Sequence, residues 1–411
     1  MDGNIKDKNM RMKSYTIILI FSMFVFACSN DINEERLIFV SSLFTGEEQY
    51  ENFNRVYEIF PTSKLSPSNK PLVFKKGNPL ELPSNFVFKD KLVNVNDYLS
   101  RTDTSALVIL KDGKISYENY WLTGGERVHW LSMSVAKSFI SALIGIAIDQ
   151  EYIKSINDEV TDYVPQLKES AYENVQIKDI LQMSSGASWN EDYSDPNSDI
   201  NRSSKIFAVG GSLDEFTASL EKELKPGSFN RYNSTDTQVL GMLLREATKT
   251  SITKYMEEML WHPMGVQDSG YWLLDSKNME MAYAGFNATA RDYAKLGELY
   301  RLGGIINSKQ IIPRDWVNAS IKPDAPHLMP GSNPLSDFPL GYGYQWWVPD
   351  LSGDFSAIGV YNQFIYVSPE SKMVIVKLSA NSNYGTSKDL NAVSELETIE
   401  FFKTLINLGK K

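Results

Sequence analysis

Ser134-Val135-Ala136-Lys137 places a hydroxyl and an amine three residues apart. On a helix, positions i and i+3 share a face, so this spacing brings the Lys137 amine toward the Ser134 hydroxyl. A Ser hydroxyl is a weak nucleophile until a neighbour removes its proton. An amine surrounded by apolar chain is held toward its neutral form and can take that proton. Phe139, Ile140, Leu143, Ile144, Ala147 and Ile148 recur at helical spacing and predict a buried helix over 135–149. Ser134 opens that helix, where the N-terminus and the residue's own N–H favour a developing oxyanion. A second copy of the spacing, Ser251-Ile252-Thr253-Lys254, follows a polar stretch and opens an amphipathic helix. There Ser is simply a good cap. Context singles out Ser134.

A tyrosine beside the serine would be a second proton carrier. Tyr-x-Asn occurs at Tyr50, Tyr117 and Tyr172, so that triplet carries no weight alone. Tyr232 stands apart. It follows the turn Pro226-Gly227 and a short polar segment, and it precedes a helical pattern from Thr237. Such a loop-to-helix junction is where functional groups are displayed.

The elements that must hold these groups follow from hydrophobic periodicity. Ala106–Leu110 and Ile115–Trp121 flank Asp112-Gly113 and predict a hairpin. Helical patterns cover Ile177–Met183, Leu213–Leu224, Thr237–Ala247, Ile252–Trp261 and Ala288–Leu302. Strand patterns return at Gln345–Val348, Gln363–Val367 and Met373–Leu378, and an amphipathic helix closes the chain over Asp389–Leu408. Strands, then helices, then strands imply an α+β sheet domain (91–130 with 330–411) carrying an inserted, mainly helical domain (131–329). Residues 28–90 read as a tether and irregular chain, because 61–86 are rich in Pro, Ser, Lys and Asn.

Taken together, these segments resemble the serine beta-lactamase-related family: class C beta-lactamases, D-alanyl-D-alanine carboxypeptidases and their esterase and amidase relatives. The likeness spans roughly 90–400 and rests on Ser-Val-Ala-Lys, Ile180-Leu181-Gln182-Met183-Ser184-Ser185-Gly186, the Tyr232 segment, Ala288-Thr289-Ala290-Arg291-Asp292 and Gly341-Tyr342-Gly343-Tyr344-Gln345-Trp346-Trp347. S-x-x-K marks penicillin-recognising enzymes. The branch it is most similar to contains the 6-aminohexanoate-dimer hydrolases. The resemblance implies an antiparallel sheet flanked by helices, with Ser134 as nucleophile, Lys137 as base and Tyr232 as second acid–base. It also implies an oxyanion hole from the backbone N–H groups of Ser134 and Val360. Ile358 and Gly359 would lie on the strand facing Ser134. The loop of Glu191, Asp192 and Tyr193 would line the substrate cleft, with Tyr193 over the leaving group and Glu191 or Asp192 on a substrate amine. Tyr361 and Asn362 would sit at the rim.

Two departures from the family pattern shape the expected substrate. Ser234 stands where an Asn amide often holds a substrate amide. Ala357 stands where a Lys or His would meet a carboxylate, a bond worth about 1.5–3 kcal/mol. These argue against efficient penicillin or D-Ala-D-Ala turnover and for a small, less acidic ester or amide. The same departures raise two alternatives: a binding or sensing lipoprotein with little turnover, and a beta-lactamase or carboxypeptidase. Arg231 could supply a replacement charge.

Other chemistries find little support. His129, His262 and His327 are far apart in sequence, H-E-x-x-H is absent, and Cys28 is the only Cys, so neither a metal nor a cofactor is expected. G-x-S-x-G does not occur, and Gly341-Tyr342-Gly343 lacks the third glycine of a dinucleotide site. The net charge is −10 with no long basic run, which disfavours nucleic acid. Lys6, Lys8, Arg11 and Lys13 precede an apolar run, Tyr15–Ala27, too short for the roughly 20 residues that span a bilayer. Ending at Cys28, residues 1–27 read as a lipoprotein signal peptide. The expected location is extracytoplasmic, membrane-anchored through a lipid on Cys28 and otherwise free of the membrane.

Overall fold

The computed structural model describes residues 38–40, 42–46 and 48–410, so the expected leader and Cys28 lie outside the described residues. Helix α1 (Gln49–Ile59) and strand β1 (Thr62–Leu65) lead to the hairpin β2 (Thr104–Lys111) and β3 (Lys114–Tyr120). Its turn places Asp112 and Gly113 at φ 51° and 72°, the conformation an Asp-Gly pair favours. Short strand β4 (Trp130–Leu131) delivers the chain through a tight turn, Met133–Val135, into helix α2 (Ala136–Asp149). Helices α3 (Ile177–Leu181), α4 (Asp199–Ala208) and α5 (Ser234–Thr248) follow. Strands β5 (Gly270–Leu273) and β6 (Phe286–Ala288) precede helix α6 (Ala290–Arg301). The chain then forms β7 (Gly341–Tyr342), β8 (Trp347–Val348), β9 (Phe355–Gly359), β10 (Gln363–Ser368) and β11 (Met373–Ser379). It closes with helix α7 (Lys388–Gly409).

The fold is α+β. Seven antiparallel strands form the main sheet in the order β7-β8-β9-β10-β11-β2-β3. Paired as the fifth and sixth strands, β11 and β2 join the C-terminal and N-terminal parts of the sheet, and both are buried along almost their whole length. One face of the sheet is covered by α7, through Phe401, Phe402 and Leu405. The other face meets α6, where Gly297 is required: a Cβ there would lie 2.6 Å from Val374 and 2.8 Å from Ile365. Helix α6 falls inside the stretch expected to form the helical domain, yet its packing partner is the sheet.

Within 28–90, the described residues form more regular structure than their composition suggests. Gln49, Asn52, Phe53 and Val56 recur at helical spacing and are buried. Phe53 stacks on Trp130 with centroids 5.3 Å apart. β1 pairs antiparallel with β5 in a second sheet, β1-β5-β6-β4. The expectation of an irregular segment weighted Pro and Ser content over a short amphipathic repeat. Two further differences concern the helical region. The helix expected over 213–224 ends at Ala218, because Ser188 N–H donates to the Glu221 carbonyl and Glu223 N–H to Gly186. The stretch after Tyr193, where no helical pattern is expected, contains α4, capped by the Ser198 hydroxyl. Among the described residues no helix is long and apolar enough to cross a membrane.

If α1 is part of the core, Phe53→Ala will destabilise the protein by about 3–5 kcal/mol in denaturant unfolding, the range for emptying a buried aromatic site. A loss below about 1 kcal/mol would mean that α1 rests on the surface.

Candidate active site

Lys137 is fully buried on α2. Its Nζ lies 2.7 Å from Ser134 Oγ, 3.1 Å from Ser234 Oγ and 3.1 Å from the Tyr283 carbonyl oxygen. An ammonium can donate to all three. A neutral amine has two N–H bonds and one lone pair, so it can donate to Ser234 and Tyr283 while accepting the Ser134 proton. The same geometry serves both protonation states. Burial lowers the Lys137 pKa from 10.5 to about 7, with Glu191 and Asp236 pulling it back upward. The Ser251 copy of the spacing does no such thing: Ser251 caps its helix by accepting from the Lys254 N–H.

Three features seat Ser134. It sits in the tight turn ahead of α2, preceded by Met133 at φ 46°. Strand β9 passes alongside. Gly359 is the point of closest approach, since a Cβ there would lie 2.7 Å from the Ser132 carbonyl oxygen. Val360, next after that strand, lines the same two cavities as Ser134. The backbone N–H groups assigned by resemblance to the oxyanion hole thus belong to residues facing the same space.

Tyr232 immediately precedes the Asn233 cap of α5. Its ring stacks on Trp347 at 5.1 Å and lies 4.9 Å from Lys137 Nζ. Burial holds its phenol well above 10, Glu191 adds to the rise, and hydrogen bonding with Ser134 opposes it. Tyr232 therefore carries a proton at neutral pH and stands beside both Ser134 and Lys137. Trp347 fixes the angle of that ring.

The remaining expected site residues divide. Ile358 and Tyr193 line a cleft of about 640 Å³ in front of Ser134. Glu191 lines it too, but its carboxylate already accepts four bonds. Tyr193 OH donates at 2.7 Å, Ser234 Oγ at 2.6 Å and Ser234 N–H at 3.1 Å, and Trp189 Nε1 also donates. It sits at the first turn of α5, where a carboxylate complements the helix dipole. Its position fits a countercharge for Lys137 better than a partner for a substrate amine. Ser234 is likewise committed, between Lys137 and Glu191, and is not the substrate-amide contact expected of it. Asn362 is not at the rim: it is fully buried at φ 66°, accepting from Ser394 Oγ at 2.8 Å and from Asn381. Arg231 is bound to Glu223 at 2.7 Å and lies 3.6 Å from Asp337, so it does not stand in for the missing cation. Ala357 lies buried within β9.

The motifs around the site are largely structural. Ser185 Oγ donates to Asp236 at 2.7 Å, tying the Met-Ser-Ser-Gly loop to α5. Gln345 donates from Nε2 to the Leu181 carbonyl and accepts from Thr237 Oγ1 at 2.6 Å, while its own carbonyl accepts from Ser138. One residue thus joins α2, α3 and α5. Arg291 grips Glu118 through two bonds of 2.7 Å.

Comparison with known proteins agrees with this arrangement. A family model described as Beta-lactamase matches residues 96–398. The 6-aminohexanoate-dimer hydrolase of Paenarthrobacter ureafaciens is 28% identical over 337 residues, covering 80% of this chain and 84% of that protein. Among solved structures, a Bacillus anthracis protein provisionally assigned as a 6-aminohexanoate-dimer hydrolase superposes with a TM-score of 0.79 at 22% identity. That match covers 90% of this chain and 96% of the other. EstCE1, a hydrolase with promiscuous acyltransferase activity, superposes with a TM-score of 0.57 at 16% identity, over 76% and 99% of the two chains. At these identities the structural matches speak to the fold.

The lowered lysine pKa makes a kinetic prediction. The rate of Ser134 labelling by an uncharged fluorophosphonate will rise with pH along a limb centred near 7, as Lys137 loses its proton. Glu191→Gln removes a charge that raises the Lys137 pKa, so the limb will move to lower pH. An unmoved or upward-moved limb would remove Glu191 from the electrostatics of the site.

Proposed function

The chain belongs to the beta-lactamase family of serine hydrolases, and from that premise we propose that it cleaves a small amide or ester through an acyl-enzyme on Ser134. The observation that carries the proposal is the buried amine 2.7 Å from the hydroxyl. Lys137 takes the Ser134 proton as Oγ bonds to the substrate carbonyl carbon. The carbonyl oxygen becomes an oxyanion between the N–H groups of Ser134 and Val360. As the intermediate collapses, the leaving nitrogen or oxygen takes a proton from the Tyr232 phenol. The Lys137 ammonium returns a proton to Tyr232. Water then attacks the ester on Ser134 by the reverse sequence and frees the acid.

The choice of substrate follows from charge. With Ala357 on β9, the strand beside Ser134 lacks the cation that meets a beta-lactam or D-Ala carboxylate; Arg231 is held by two carboxylates, and Lys388, which also lines the cleft, comes from the exposed start of α7 rather than from that strand. That favours linear amides or esters over penicillins and peptidoglycan stems. The likeness to a 6-aminohexanoate-dimer hydrolase supports the amide side of this reading. The assembled Ser134, Lys137 and Tyr232 favour turnover over a binding or sensing role.

The full chain, incubated with a fluorophosphonate and separately with p-nitrophenyl acetate, will gain one adduct and release nitrophenol. Ser134→Ala will lose both. Tyr232→Phe will lower kcat by about two to four orders of magnitude, as for a lost general acid. Equal turnover by a folded Ser134→Ala protein would refute the assignment.

The location is also part of the proposal. The basic residues before Tyr15, the short apolar run and the single Cys at its end support a lipid anchor on Cys28 outside the cytoplasm. In cells making the full chain, Cys28→Ala will move the protein from the membrane fraction to the soluble one. An unchanged distribution would refute the anchor.

A further inference from the structure

Ser134 lies between two cavities of similar size, the first mixed in character and the second markedly more apolar. The first is the cleft already described, where Tyr232, Glu191, Asp337 and Glu395 contribute polar walls. The second, of about 630 Å³, is predominantly apolar. Val56 and Phe60 come from the α1 side, Ile200 and Phe207 from α4, Leu273 from β5, and Met133 precedes the serine itself. Ser134, Val360 and Tyr193 line both. Tyr232 lines only the polar one.

This partition assigns the two halves of a substrate. The leaving group must lie on the side of the acid that protonates it, so it occupies the polar cleft with Tyr232. The acyl group is joined to the same carbonyl carbon and extends the other way, past Ser134 and Val360. We infer that the apolar cavity is an acyl chamber, and that the protein is selective for amides or esters of aliphatic carboxylic acids rather than of acetic acid. The inference rests on the assignment of Ser134 as nucleophile. The volume falls within the range of ordinary ligand pockets. Among the described residues, the one charged side chain lining this cavity is Lys205, which donates to the Pro196 carbonyl. Each methylene that leaves water for such a wall raises kcat/KM by about a factor of four when it is fully buried in the transition state.

The test uses the full chain and p-nitrophenyl acetate, butyrate, octanoate and dodecanoate. From acetate to octanoate, kcat/KM will rise at least about tenfold, with Ser134→Ala inactive on all four. Ser204→Trp projects a large side chain from α4 into the chamber and will cut the octanoate-to-acetate ratio about tenfold. Val40→Trp does the same from the N-terminal wall, and serves should the first variant fail to fold by circular dichroism. A flat or falling profile from acetate to octanoate, with Ser134-dependent hydrolysis intact, would overturn the acyl chamber and leave the hydrolase standing. So would a rising profile whose ratio neither folded variant changes. Loss of Ser134 dependence would instead overturn the hydrolase assignment on which the chamber rests.

Discussion

A lysine amine shut away from water is unfavourable as a cation, and the site is arranged around that constraint. Nothing in α2 offers Lys137 a compensating charge; every residue from Ala136 to Ala147 is buried and most are apolar. Its acceptors come from three separate places: the turn before the helix, the start of α5, and the loop containing Tyr283. The larger opposing charge comes from Glu191, reached through Ser234 rather than directly, and Asp236 adds to it. Distance and four donated hydrogen bonds temper the Glu191 carboxylate. The amine is therefore poised close to neutrality instead of being fixed as the cation of an ion pair. A direct Lys–Glu contact would stabilise the charged form and remove the base.

That poise depends on holding α2, α5 and β9 at fixed separations, and the side chains that do so are mostly not the ones that do chemistry. Gln345 binds α3 and α5 with its amide and α2 with its backbone carbonyl. Asp236, buried in the first turn of α5, anchors the Met-Ser-Ser-Gly loop through Ser185. Gly359 lets β9 run within contact of Ser132. Trp347 fixes the plane of Tyr232. A small displacement in any of them would move the Lys137 lone pair off Ser134 Oγ, and proton transfer is steeply sensitive to such displacement.

Local signals made the chemistry legible and long-range ones did not. The i, i+3 pair, the Asp-Gly hairpin and the buried character of α2 are all written within about 15 consecutive residues, within reach of periodicity reasoning. Ser251 could be set aside on the same footing, by its polar surroundings. The partners of Glu191 could not be read, because Ser234 lies more than 40 residues away and the loop between them gives no periodic cue. Asn362 misled for a related reason. A polar residue beside a catalytic strand resembles a rim contact, and only the fold shows it turned inward onto Asn381 and Ser394. The buried faces of α1 and α4 were present as short repeats, Phe53 with Val56 and Ile200 with Phe207, but were outweighed by Pro, Ser and Asp around them.

The departures from the family pattern acquire a physical meaning once the N-terminal segment is included. The family model begins at residue 96, yet Val56 and Phe60 stand in the wall of the apolar cavity beside Ser134. A site that keeps a carboxylate-binding cation gains orientation from one charge-assisted bond. Here that cation is absent, and Arg231 is held by Glu223 and Asp337. Orientation must come from shape and apolar contact on one side and from polar contact on the other. Chain outside the matched region supplies much of the apolar wall, through a helix whose Phe53 is locked onto Trp130, four residues before Ser134. Stability and selectivity are thereby joined. The contact that seats α1 against the core also sets the shape of the space where the acyl group would lie.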